Sequence, residues 1–228
     1  MQDTPRRYLV TGASSGIGLA MVKRLYGQGH AVVGTGARPL HDLPVDYPDI
    51  PYLQANQVGD FDLTVTNDVD RVIMAAGTGF YRPLREETAS SVANVLKVNV
   101  GAVVQLLHRL HPVLEKNGGR VALLGSIAAR GAAGMPTYAA SKGALAGLAR
   151  SLSSEWRGRI VVRHFALWPV RTPMHARAGY DARRIDFMLM DSDAVATHIL
   201  WAIERPGRAS SSINPATLLQ RRLAGGGR

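Results

Sequence analysis

The sequence predicts a single α/β domain: a Rossmann-like, doubly wound parallel sheet with helices on both faces. Three observations carry this. Short β-branched runs alternate with longer helical patterns from end to end. A glycine-rich turn joins the first strand to the first helix. The 228 residues, 46% hydrophobic and 19% charged, suit one globule with a large core and not a disordered chain.

Tyr8-Leu9-Val10 reads as the first strand, followed by the turn Thr11 to Gly18. A helix then carries Leu19, Val22, Lys23 and Leu25 to a stop at Gly27-Gln28-Gly29. Ala31 to Gly34 is the second strand, Pro51-Tyr52-Leu53 a short third, and Arg71 to Met74 a fourth. Apolar residues from Val92 to Leu107 recur at helical spacing, which predicts one long helix or two abutting ones between Glu86 and Leu114. Arg120 to Leu124 is a fifth strand, Pro136 to Trp156 a helix, and Ile160 to Phe165 a sixth strand. A helix over Asp193 to Ile203 precedes a last strand near Ser211 to Ile213. Such alternation implies right-handed crossovers in one sheet. Residues 1–228 thus form one domain, with a flexible tail over about 221–228.

The net charge of +10 and a pI near 10.5 invite an anionic partner. The 27 Lys and Arg are scattered, however, and aromatics are only 6%, too few for a base-stacking surface. No nucleic-acid role is expected. The absence of Cys excludes disulfides and Cys-based zinc sites. His108 and His111 lie three apart on a helix end without a third ligand at suitable spacing, so no metal is expected. No apolar run approaches the ~18 residues of a membrane span, and no apolar segment follows the basic N-terminus. A cytoplasmic protein without a membrane partner is the expectation.

Gly12, Gly16 and Gly18 stand in a G-x-x-x-G-x-G spacing between strand and helix. Glycine there permits a tight turn and lets a pyrophosphate approach the backbone at a helix N-terminus. Ser14 and Ser15 add hydroxyl donors. An ordinary Gly-rich turn is the competing reading. The second strand runs into Thr35-Gly36-Ala37-Arg38, with Gly36 where a ribose-reading acid is usual in NAD sites. A 2′-phosphate would meet no carboxylate there and could pair with Arg38, which favours NADP(H) over NAD(H); otherwise Arg38 is a surface residue.

Tyr138-Ala139-Ala140-Ser141-Lys142 places a phenol and an ammonium on one helical face. A phenol is a poor base at neutral pH, and a nearby cation favours phenolate. Ser126 follows the fifth strand, at the carboxyl edge where doubly wound sheets bind ligands.

Together these pieces resemble the short-chain dehydrogenase/reductase family, in its compact single-domain form. The matching elements are Thr11-Gly12-(x)3-Gly16-Ile17-Gly18, Ala75-Ala76-Gly77 after the fourth strand, Asn99-Val100-Gly101, Ser126, and Tyr138-(x)3-Lys142. They occur in family order over roughly residues 7 to 175. The resemblance implies an NAD(P)-dependent oxidoreductase, most simply an NADPH-dependent reductase of a ketone or aldehyde, or the reverse alcohol oxidation. Tyr138 would exchange a proton with the substrate oxygen and Ser126 would position that oxygen. Lys142 would bind the nicotinamide ribose and depress the tyrosine pKa. Asn99 would hold the helix geometry and a proton-relaying water. Cofactor contacts are implied for Gly12, Ser14, Ser15, Gly16, Ile17, Gly18, Arg38, Asn56, Ala75, Ala76, Gly77, Asn99, Tyr138, Lys142, Pro169, Val170 and Thr172. A homo-oligomer, dimer or tetramer, is also implied.

The chain departs from the family pattern in four places. Met74-Ala75-Ala76-Gly77 lacks an amide that usually braces the sheet. Asn56 stands where an Asp commonly contacts adenine. The helix over residues 57–67 is expected to be truncated. Trp168-Pro169-Val170-Arg171-Thr172 lacks a usual glycine. Residues 173–192 should form a variable lid, where Tyr180, Phe187, Met188, Leu189 and Met190, with Trp168, suggest either a wall for a small apolar or aromatic substrate or plain core. Arg171, Arg177, Arg183 and Arg184 suggest lid solubility or attraction of an acidic partner. Two other classes stay open: a non-redox or internal-redox step (dehydration, isomerisation, cyclisation) motivated by Val170, and a non-catalytic cofactor-binding regulator.

Overall fold

The computed structural model describes residues 5–55 and 66–223. Its strands are β1 (Arg7–Thr11), β2 (Ala31–Gly36), β3 (Tyr52–Gln54), β4 (Arg71–Met74), β5 (Arg120–Ser126), β6 (Val161–Leu167) and β7 (Ser210–Ile213). They form one sheet in the order β3-β2-β1-β4-β5-β6-β7, and every pairing is parallel. Thr11, at the end of β1, faces Thr35 on one side and Met74 on the other. The strand order reverses at this point, which opens a crevice beyond the carboxyl ends of the strands.

Alternation along the strands divides the core between two faces. Val10, Ile73 and Phe165 pack with Met21, Val22 and Leu25 of α1 (Gly16–Gly27) and with Ile199 and Ile203 of α6 (Ser192–Ile203). Leu9, Val72 and Leu123 pack with Leu106, Leu110 and Leu114 of α3 (Ala102–Lys116) and with Leu145 of α4 (Pro136–Glu155). The long helical pattern resolves into α2 (Ala89–Leu96), a π turn over Lys97–Gly101, and α3. By length and composition alone the run Ala89–Lys116 could cross a membrane, contrary to the reading of the sequence. Its apolar stripe is explained by the core: Val103, Leu106, Leu107, Leu110 and Leu114 are all buried.

Two helices were not foreseen. α5 (Met174–Arg177) is a single turn in the lid, and α7 (Pro215–Leu223) occupies part of the expected flexible tail. Its cause is local. Pro215 is pre-set for a first helical position, and the Asn214 side chain accepts the Thr217 N–H at 2.9 Å. Asn56 and most of residues 57–67 lie outside the described residues.

Candidate active site

β5 delivers Ser126 to the carboxyl edge of the sheet, and α4 begins ten residues later with Pro136 at its first turn. Tyr138 and Lys142 therefore face the same space, one turn apart. The Lys142 ammonium donates to the Leu124 carbonyl at 2.9 Å and lies 5.6 Å from the centre of the Tyr138 ring. The Ser126 Oγ accepts the Ala128 N–H at 3.1 Å, and Ser126 and Tyr138 line the same cavity.

Burial raises the Tyr138 pKa above the ordinary phenol range, while the Ser126 hydroxyl pulls it down. Burial also pushes Lys142 down to about 8. This corrects the expectation that Lys142 sets the tyrosine low. Desolvation governs both groups, so the protein itself holds Tyr138 as a neutral phenol, the form of an acid.

Asn99 sits in the π turn and is fully buried. Its Nδ2 donates to the Thr78 carbonyl at 2.8 Å and to Ser141 Oγ at 2.9 Å, and its Oδ1 accepts the Thr78 N–H at 2.9 Å. Ser141 in turn donates to the Tyr138 carbonyl at 2.7 Å. Asn99 thus ties the loop after β4 to α4 through buried groups, and it lines neither cavity described below. It is a positioning residue. Ser141, which shares this task, stood in the Tyr138–Lys142 string without a role; its three-residue offset from Tyr138 is the signal that it faces inward beside it.

The end of β4 is held to β1 by a side chain of the glycine turn. The Thr11 hydroxyl donates to the Ile73 carbonyl at 3.4 Å and accepts the Ala76 N–H at 3.0 Å, so it braces β4 against β1.

A groove of about 560 Å³ runs along the glycine turn, lined by Gly12, Ser14, Ser15, Gly16, Ile17, Gly18, Arg38, Ala75, Ala76 and Gly77 among others. Gly12 has φ +68°, and a Cβ there would stand 2.8 Å from the Ala76 backbone. A Cβ on Gly18 would stand 2.3 Å from the Gly12 carbonyl, so α1 starts hard against the turn. The Ser15 side chain does not cap α1, and no acid lies in its first turn; the helix N-terminus is open to an anion. At the far end, a Cβ on Gly36 would meet Tyr52 Oη at 2.7 Å and Ser14 Oγ at 3.1 Å, which leaves no room for the ribose-reading acid. Tyr52, overlooked in the sequence, also donates to the Arg38 carbonyl at 3.0 Å and fixes that turn. These features fit a bound dinucleotide.

A second cavity of about 390 Å³ adjoins the groove and is lined by Ser126, Tyr138, Lys142, Pro169, Val170 and Thr172. Its outer wall is Tyr81, Met135, Trp168, Met174, His175, Tyr180 and Ile185. The expected wall is corrected in part. Trp168 and Tyr180 belong to it, whereas Phe187 is 86% exposed and Met190 is buried in the core. The backbone at Val170 is tied to the far end of the lid. It bridges Met190 in parallel, with Met190 N–H on the Pro169 carbonyl and Arg171 N–H on the Met190 carbonyl, each at 2.9 Å. Met190 is buried at this bridge, and Phe187 three residues earlier lies outside it.

The family model for short chain dehydrogenases matches residues 55–182. A tropinone reductase homolog of Arabidopsis thaliana is 30% identical over 190 residues, 73% of this chain and 68% of that protein. The 3-oxoacyl-(acyl-carrier-protein) reductase of Salmonella typhimurium is 30% identical over 199 residues, 77% of this chain and 78% of that protein. Among solved structures, a short-chain dehydrogenase from Shigella flexneri complexed with NADP superposes with TM-score 0.80 at 25% identity, covering 93% of this chain and 98% of that one. One from Sphingobium yanoikuyae in complex with NADPH gives TM-score 0.80 at 24% identity, covering 96% and 91%, which bears on fold alone. With the fold, the glycine groove and the sequence relatives in agreement, the chain belongs to the short-chain dehydrogenase/reductase family of NAD(P)-dependent enzymes.

Proposed function

We propose that the protein is an NADPH-dependent carbonyl reductase, able to run in reverse as an alcohol dehydrogenase, acting on a small apolar or aromatic substrate. One observation carries this reading: Ser126, Tyr138 and Lys142 converge where the groove without an acid meets the apolar cavity. Bound NADPH would supply the hydride. The chain's residues would do the rest. Tyr138, held neutral, gives its proton to the substrate oxygen as negative charge builds there. Ser126 hydrogen-bonds that oxygen and fixes the distance over which the proton moves. Lys142 uses one of its donors on Leu124 and has two for the ribose hydroxyls. Gly12 to Gly18 and the open N-terminus of α1 hold the diphosphate, and Arg38 with Gly36 selects the 2′-phosphate. The Shigella flexneri protein, 25% identical and solved with NADP, supports this choice.

Val170 pairs with Met190 through the backbone and has a place in the lid whatever the reaction. Family membership supports a homo-oligomer.

Titrating NADPH and NADH into the protein, followed by nicotinamide fluorescence, tests the cofactor. Tighter NADPH is expected; equal or tighter NADH would return Arg38 to the surface. A screen of aryl and alkyl ketones at 340 nm then tests the reaction.

A further inference from the structure

Among the described residues, Arg38 and Arg177 are the two ionisable ones that line the cofactor groove, and they come from different segments of the chain. Arg38 follows β2, beside Gly36 and Ala55. Arg177 comes from α5 in the lid, in company with Thr172 and Met174, and Thr172 lies against the glycine turn: a Cβ on Gly16 would stand 3.0 Å from its Cγ2. Arg171 and Arg183, also in the lid, are engaged by Asp186 and Asp181. Arg177 has no carboxylate partner among the described residues, and it lines the groove but not the substrate cavity.

α5 is also the partition between the two spaces. Met174 lines both, while His175, Ala178 and Tyr180 face the substrate cavity. The Ala178 carbonyl accepts the Tyr81 N–H at 2.7 Å, the Tyr81 and Tyr180 rings lie 4.6 Å apart, and His175 Nε2 is 3.0 Å from the Val170 carbonyl. One helical turn thus joins Arg177 to the residues of the aromatic wall.

We propose that Arg177 is the lid's contact with the cofactor diphosphate and, through α5, couples cofactor binding to the setting of the substrate wall. The inference rests on the dinucleotide reading above. A guanidinium suits two phosphoryl oxygens in a fork. It would complement the backbone donors of α1 from the opposite side of the groove. A ligand that binds the set wall better than the loose one shifts the lid toward it.

The test compares wild type with Arg177→Met, Arg177→Lys and Arg38→Gln by calorimetric titration. Arg177→Met should weaken NADPH and NADH by the same factor, about tenfold or more, and leave adenosine 2′-monophosphate, which has no diphosphate, unchanged. Arg38→Gln should weaken NADPH and adenosine 2′-monophosphate but not NADH. Arg177→Lys should recover part of the loss. Hydrogen exchange at the Tyr81 amide should slow when NADPH binds wild type, and less so in Arg177→Met. Arg177 is exposed, so its replacement leaves the fold intact. Dinucleotide affinities within twofold of wild type in Arg177→Met would overturn the proposal, as would a loss confined to NADPH. Wild type that binds neither dinucleotide would defeat the cofactor reading itself, a result seen before any variant is made.

Discussion

Across the cleft, the wall built by β5 and α4 and the wall built by residues 169–190 hold their side chains by different means. The first is anchored in depth. Lys142, Ser141 and Asn99 are buried, and each polar group there has a partner in the backbone or a neighbouring side chain. The second consists of one helical turn and a distorted 3-10 segment, tied down at its ends by the Val170–Met190 bridge and the Tyr81–Ala178 hydrogen bond. The difference separates two tasks. Proton transfer needs a fixed donor, whereas a lid that admits substrate must come from the less stable part of the molecule.

The largest effect should come from the anchored wall. Tyr138→Phe keeps the ring against Gly79 and removes only the acid. Turnover should fall by ~10²–10⁴ with the circular dichroism spectrum unchanged. Retained turnover in a stopped-flow assay would end the assignment of Tyr138 as the acid.

Lys142 gives the next effect, with a less familiar sign. Its pKa in the folded chain, about 8, lies below the ordinary 10.5, so below pH 8 the folded protein carries a buried charge that the unfolded chain holds in water. The unfolded state binds more protons between these two values, and stability from this group rises with pH across that window. A shift of this size corresponds to about 3 kcal/mol. Lys142→Met should therefore be more stable than wild type in urea at pH 7, by up to about 3 kcal/mol less the lost hydrogen bond to Leu124, while losing activity. The advantage should shrink as pH rises from 8 toward 10.5. A constant difference across that range would place the charge in water.

Asn99→Ala removes the three hydrogen bonds that join Thr78 and Ser141 and strands buried partners. A cost of about 2–3 kcal/mol in urea unfolding is expected, with a lower kcat and a nearly unchanged cofactor affinity, because Asn99 touches no groove. Ser141→Ala should reproduce a fraction of it. If Asn99→Ala weakened cofactor binding as much as turnover, the residue would belong to the binding surface.

The same contrast decides what the sequence could reveal. Strands, the glycine turn and the Ser126, Tyr138 and Lys142 set depend on spacings within one or two elements, and periodicity exposes those directly. The Gly36–Arg38 reading likewise needed only neighbours along β2, though the steric reason, Tyr52 from β3 over Gly36, came from another strand. Thr11 meeting Ala76 beyond β4, and Ser141 meeting Asn99, are contacts between distant parts of the chain. Nothing in local composition announces them. The lid was harder still. Its Met and aromatic residues look alike in sequence, yet Tyr180 lines the cavity, Met190 is buried and Phe187 is exposed.

That last point yields the smallest and sharpest comparison. Tyr180 and Phe187 are both lid aromatics seven residues apart, but Tyr180 packs on Tyr81 inside the cavity wall while Phe187 is 86% exposed. A tilted aromatic pair at this spacing contributes about 0.5–1.5 kcal/mol beyond the area it buries. Tyr180→Ala should therefore raise KM for an apolar ketone severalfold with little change in cofactor affinity, because the residue touches substrate space and not the groove. Phe187→Ser should leave KM, cofactor affinity and stability within about 0.5 kcal/mol of wild type. Should Phe187→Ser raise KM as much as Tyr180→Ala, the lid must fold over substrate by rotating its 3-10 segment inward, and the wall described by Tyr81, Tyr180 and Ile185 would be one of two arrangements.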